Sequence, residues 1–149
     1  MLNRDIAEEV VIPKPLAQTW ALWATNEGLE SWLTPLARVE GKLDGSFALF
    51  FNPADHSDNN TDGCKITAWA PERFLAFEWK GPSWLSVMND ARYFTWVLLA
   101  FEVLSENTTA VHFRHGESGE GEDWKEARDT FECIWKAVFM KIKSPFEDE

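Results

Sequence analysis

The sequence predicts an α+β fold: a curved antiparallel sheet of about six to seven strands wrapped around a long C-terminal helix, with two short helices after the first strand. Three observations predict it. Between Asp123 and Lys143, apolar residues recur at helical spacing, at Trp124, Ala127, Phe131, Ile134, Trp135, Val138, Phe139 and Ile142. Upstream, short stretches of strand character follow one another through tight turns, as antiparallel strands do. The 149-residue chain also holds nine Trp and eleven Phe, and a helix stripe so rich in rings needs a broad apolar face to cover it.

Each element has its own signal. Ile6 to Ile12 ends in the β-branched cluster Val10-Val11-Ile12, a first strand closed by Pro13 and Pro15. Pro15 suits a helix start, and Leu16, Trp20 and Trp23 share one face of a helix running to Thr25. A second short helix spans Glu27 to Trp32, with Asn26 as its N-cap and Pro35 closing it. Strands are predicted at Leu36 to Glu40, Ser46 to Phe51, Cys64 to Trp69, Arg73 to Lys80, Tyr93 to Leu104 and Thr108 to His115. Turns at 41–45, at Pro71-Glu72 and at Glu106-Asn107 join neighbours. Asn52 to Asp62 is a polar loop, Gly81 to Ala91 is irregular, and Gly116 to Gly121 connects to the last helix. That helix starts with a capping box, Asp123 and Glu126, and Pro145 lies just beyond its end.

Strand parity selects the side chains that face the helix. Leu75, Phe77 and Trp79 share one face, as do Val111, Phe113 and His115, and Tyr93, Thr95, Val97, Leu99, Phe101 and Val103. The opposite face of the longest strand holds Phe94, Trp96, Leu98 and Ala100. That face is too apolar to be fully wet, so a loop or a partner subunit is expected over it.

Composition excludes several classes. The chain reads as a single domain, 1–149, of ordinary globular usage. A net charge of −11 disfavours nucleic acid and anionic membrane surfaces. No run approaches the roughly 18 apolar residues of a membrane helix, and Met1 to Glu9 has no apolar signal region. Cys64 and Cys133 make no disulfide framework and read as buried or half-buried free thiols. A cytoplasmic location is expected.

The element order, with particular residues, resembles the START-like or SRPBCC superfamily, the helix-grip fold shared with the birch-pollen allergen. Ile12-Pro13 leads into a helix with Trp20, followed by Trp32. Gly45-Ser46-Phe47 is similar to a Gly-x-Phe strand of the family. Gly63, Pro71-Glu72-Arg73-Phe74, Phe77 and Trp79 resemble its Gly…Pro-x-Arg-Leu…Trp hairpin. Thr109, His115-Gly116, Trp135, Phe139 and Ile142 resemble its Thr…His-x-Gly and helical Trp pattern, with one residue fewer between His and Gly. Within the superfamily the chain looks most like the branch similar to the activator of the heat-shock chaperone ATPase. The resemblance implies a mostly apolar cavity between sheet and helix, which in relatives takes lipids, sterols, polyketides or aromatics.

Catalytic motifs are few. There is no Gly-rich phosphate loop, CxxC pair or HExxH. His112 and His115 lie three apart on a strand and face opposite sides, which argues against a shared metal. His56 with Asp55, Asp58 and Asp62 fits no ligand template, so neither metal nor cofactor is expected. His115 is a weak catalytic candidate, as a general base or a ligand-orienting group. Trp32, Phe51, Phe77, Trp79, Tyr93, Thr95, His115, Phe131 and Trp135 form the candidate ligand-binding set: large rings with a few polar tips, which suits an apolar or aromatic small molecule. Two alternatives are a cyclase- or hydrolase-type enzyme using His115, and a co-chaperone-like interaction module. Phe94, Trp96 and Leu98 would form the seam of a homodimer, with Trp84 close by on that surface.

Overall fold

The structure, a computed structural model, describes residues 6–55, 60–80, 95–116 and 122–143, with 122–124, 127, 141 and 143 as backbone alone. Among the described residues, seven strands and three helices run in the order β1 (Ile6–Ile12), α1 (Leu16–Ala24), α2 (Asn26–Glu30), β2 (Leu36–Val39), β3 (Phe47–Phe50), β4 (Ile66–Ala70), β5 (Phe74–Trp79), β6 (Thr95–Ser105), β7 (Thr108–Gly116) and α3 (Glu122–Lys143). Five strands pair in the order β1-β7-β6-β5-β4, and β2 pairs with β3. Every pairing is antiparallel. The two sheets join where Ser46 bridges Lys65, through bonds from Phe47 N–H to the Cys64 carbonyl (2.9 Å) and from Ile66 N–H to the Gly45 carbonyl (2.8 Å). This is the helix-grip arrangement.

Local chemistry sets the boundaries. Pro15 is the N-cap of α1 and supplies no side-chain bond. The cap of α2 is Thr25, not Asn26. The Thr25 hydroxyl accepts from Gly28 N–H at 2.9 Å and donates to the Ala21 carbonyl at 2.7 Å. Asn26 is used elsewhere, its Oδ1 accepting from Val39 N–H at 2.7 Å, while Glu30 Oε2 accepts from Ala37 N–H at 2.9 Å. The short helix thereby satisfies two donors along the edge of β2. At Pro71-Glu72, Arg73 N–H bonds the Ala70 carbonyl at 2.9 Å and Glu72 adopts a φ of 64°, which closes the β4–β5 hairpin.

Other boundaries move for stated reasons. β4 starts at Ile66 rather than Cys64, because the residues before it pair with β3 and the register against β5 shifts between Ile66 and Ala68. Gly116 belongs to β7 and pairs with Trp96. A Cβ at Gly116 would collide with the Trp96 ring, so glycine lets that indole lie across the neighbouring strand. The last helix begins at Glu122, which places Asp123 within its first turn rather than at the cap.

The predicted inward faces are buried except at the far end of β6, where Phe101 is half-buried and Val103 is 56% exposed. Leu75, Phe77 and Trp79, Val97 and Leu99, and Val111, Phe113 and His115 are buried, together with Phe131, Trp135, Phe139 and Ile142 of α3. The outer face of α3 carries the pairs Lys125–Asp129, Arg128–Glu132 and Lys136–Glu132. Cys133 lies on that exposed side, so it is not the buried or half-buried thiol expected; Cys64 is buried, and both thiols are free. Burial first, then Glu78, pushes the Cys64 thiol up to about 12. Among the described residues no helix is long and apolar enough to cross a membrane.

Candidate functional site

Three strand ends and one helix bring the candidate residues together. Parity points Trp79 at the end of β5, Thr95 at the start of β6 and His115 near the end of β7 to the same side of the sheet. Trp79 pairs with Thr95, and Val97 with His115. The helical stripe of α3 lays Phe131 and Trp135 over them. The Trp135 ring lies 5.1 Å from Trp79 and 4.7 Å from Phe113, centroid to centroid. Phe131 meets the His115 ring edge-on at 5.5 Å. Phe77 and Phe51 flank Trp79 at 6.0 and 6.1 Å.

A chain of hydrogen bonds threads these rings. Trp135 Nε1–H donates to His115 Nδ1 at 2.8 Å. Indole nitrogen is only a donor, so Nδ1 must accept and the imidazole proton sits on Nε2. Nε2–H then donates to Thr95 Oγ1 at 2.7 Å, and the Thr95 hydroxyl donates to the Trp79 carbonyl at 2.7 Å. The imidazole is neutral: burial lowers its pKa from 6.5 to about 3. Both ring nitrogens are engaged, which leaves no lone pair for proton abstraction. In this arrangement His115 positions its neighbours.

One donor beside these bonds has no acceptor among the described residues. Trp79 Nε1 is buried without an acceptor among the described residues, and so is Trp23 Nε1. The buried indoles of Trp135 and Trp32 are both satisfied, the latter by the Leu22 carbonyl at 2.9 Å.

Among the described residues Trp32 makes no ring contact with the Trp79 group. It meets Trp23 at 4.8 Å, and Trp23 and Trp135 both contact Phe139, at 6.1 and 6.2 Å. It thus belongs to the far end of the same aromatic row. Tyr93, Phe94, Trp84, His56 and Asp58 lie outside the described residues. Sequence reasoning missed three members: Phe47, stacked on Phe77 at 3.7 Å, Phe113, and Trp23. Parity had already turned Phe113 inward, and the α1 periodicity carried Trp23.

His112 faces the other way, as its parity requires. It lies half-buried on the convex face between Glu9 (3.3 Å) and Glu102 (2.9 Å). Among the described residues no group of three His, Cys, Asp or Glu side chains is placed to hold a metal ion.

Comparison with known proteins places this geometry. A family model described as Activator of Hsp90 ATPase homolog 1-like protein matches residues 13–147. No match is found among curated proteins. Among solved structures, protein MLL2253 from Mesorhizobium loti is 17% identical with a TM-score of 0.72, the match covering 94% of each chain. The Aha1 dimer from Colwellia psychrerythraea is 21% identical with a TM-score of 0.71, over 99% of this chain and 97% of that one. DynU16, of the dynemicin biosynthetic locus, is 12% identical with a TM-score of 0.75, over 98% of this chain and 48% of its own. At these identities the likeness is one of fold. The family match spans most of the sequence, and the chain belongs to the Activator of Hsp90 ATPase homolog 1-like family.

Proposed function

We propose that the protein binds an apolar or aromatic small molecule between the inner face of the sheet and α3. Trp32, Phe51, Phe77, Trp79, Tyr93, Thr95, His115, Phe131 and Trp135 are the assigned binding set. The observation that carries this reading is the meeting of Trp79, Trp135 and Phe131 across the sheet–helix interface, around a fully satisfied polar thread. Such a thread holds the rings in fixed orientations without offering charge, which suits recognition of an apolar ligand. His115 serves as a positioning residue in this reading, and catalysis through it is disfavoured by its two occupied nitrogens. Two free thiols fit a reducing, cytoplasmic setting.

The test is a titration of intrinsic Trp fluorescence, with thermal shift, against flavonoids, aromatic ketones, sterols and fatty acids. Saturable quenching with a raised Tm is expected, and it weakens in Phe131→Ala. Absence of any response across the panel would overturn the reading.

A second reading has its own observation. On the convex face Trp96 is 38% exposed and Leu98 half-buried, and the Colwellia relative of the same fold is a dimer. We propose that Trp96 and Leu98, with Phe94, form a homodimer seam. Sedimentation of the wild type against Leu98→Glu tests it: a dimer converted to monomer supports the seam, and a monomeric wild type rejects it.

A further inference from the structure

The geometry points to an uncharged aromatic ligand bearing a hydrogen-bond acceptor, held by the indole N–H of Trp79. The inference rests on the small-molecule reading above and specifies the chemistry of its ligand. Trp79 is 4% exposed, and its Nε1 has no acceptor among the described residues. Buried donors are ordinarily paired, because an unpaired N–H forfeits the bonds it made in water. The fold pairs the buried indoles of Trp135 and Trp32. At Trp79 the Thr95 hydroxyl donates to the backbone carbonyl, and Thr95 is fixed in turn by His115. The residue is thus anchored by its main chain while its side-chain donor stays open.

The ring contacts of Trp79 decide the rest of the ligand. Among the described residues they are Phe51, Phe77 and Trp135, all uncharged. The nearby imidazole is held neutral by donating through Nε2 and accepting through Nδ1. A carboxylate would therefore lose its hydration and gain no counter-charge from these groups, in a protein of net charge −11. A ketone, quinone or ether oxygen on an aromatic frame would take the N–H and present a flat apolar body to the surrounding rings. Trp23 also holds an unpaired N–H, but its ring contacts, Trp32 and Phe139, lie at the far end of the row.

The test uses the matched probes fluorenone and fluorene, which share a ring frame and differ in one carbonyl. Affinities are measured by isothermal titration calorimetry on the wild type and on Trp79→Phe, which keeps an apolar ring and loses the donor. The wild type is expected to bind fluorenone about tenfold tighter than fluorene, and Trp79→Phe to bind the two equally. The carbonyl stretch of bound fluorenone, read by infrared on the wild type, is expected at lower frequency than in an apolar solvent. That readout does not depend on the variant folding. Equal affinities in the wild type with an unshifted stretch would overturn the donor assignment and leave the binding reading standing. Preference for fluorenone that persists in Trp79→Phe would overturn it likewise. Failure of both probes to bind would overturn both.

Discussion

Only the neutral imidazole of His115 satisfies both of its neighbours, since a proton on Nδ1 would face the Trp135 N–H donor to donor. This has a measurable consequence. The folded pKa of about 3 lies below the ordinary 6.5, so between those values the unfolded chain holds a proton that the folded chain does not. The stability from this group is complete above the unfolded value. It falls as pH drops toward the folded one, by at most about 1.4 kcal/mol per pH unit. His115→Gln lacks this dependence. We expect the gap in urea midpoint between wild type and His115→Gln to narrow from about pH 7 to about pH 5; a gap that is constant with pH contradicts the assignment. Trp135→Phe keeps a ring but strands Nδ1 without its donor, and should cost about 1–3 kcal/mol by urea denaturation.

Among elements, the corner between α1 and α2 is the most constrained. A Cβ at Gly28 would drive into the Ala21 carbonyl and the backbone of the preceding helix. Neither is the loose end of a side chain, so Gly28→Ala should destabilise by about 2–3 kcal/mol in thermal or chemical melts. Thr25→Ala removes the α2 cap and should cost about 1 kcal/mol. The corner also shows where reading a sequence stops. Thr25 and Asn26 are both good N-cap residues, and local chemistry does not rank them. What decides is β2, thirteen residues on in the chain, which takes the Asn26 side chain for Val39 N–H. β1 and α3 were legible almost to the residue, because a β-branched cluster and a long apolar stripe are local signals. The start of β4 was not, because Cys64 takes a donor from β3 and Lys65 is shared, bridging Ser46 while its carbonyl accepts from Glu78 N–H of β5.

On the scale of the whole molecule, the sheet has two faces with different chemistry. The inner face packs rings against α3, while the convex face carries His112 between two carboxylates and leaves Trp96 half-open over Gly116. Parity assigned His115 and His112 to opposite faces, so which residues look inward was readable from the chain. The hydrogen-bond chain was not. It depends on how α3 is rotated and translated over the sheet, since Trp135 must stand over His115 for Nε1 to reach Nδ1. The open donor on Trp79 was hidden for the same reason, as an unpaired group is defined by everything that fails to reach it. Family membership agrees with this architecture and leaves the ligand to be found by experiment.

The central claim, a small molecule held between sheet and α3, is tested most directly on the tryptophan indoles themselves. The nine Trp give nine indole N–H signals in a nitrogen-15 correlation spectrum, assigned by single Trp→Phe variants. Titration with an uncharged aromatic ketone should move the Trp79 and Trp135 signals saturably and together, with Trp96 unmoved. Motion of Trp96 alone, or of none of the nine, would contradict the account.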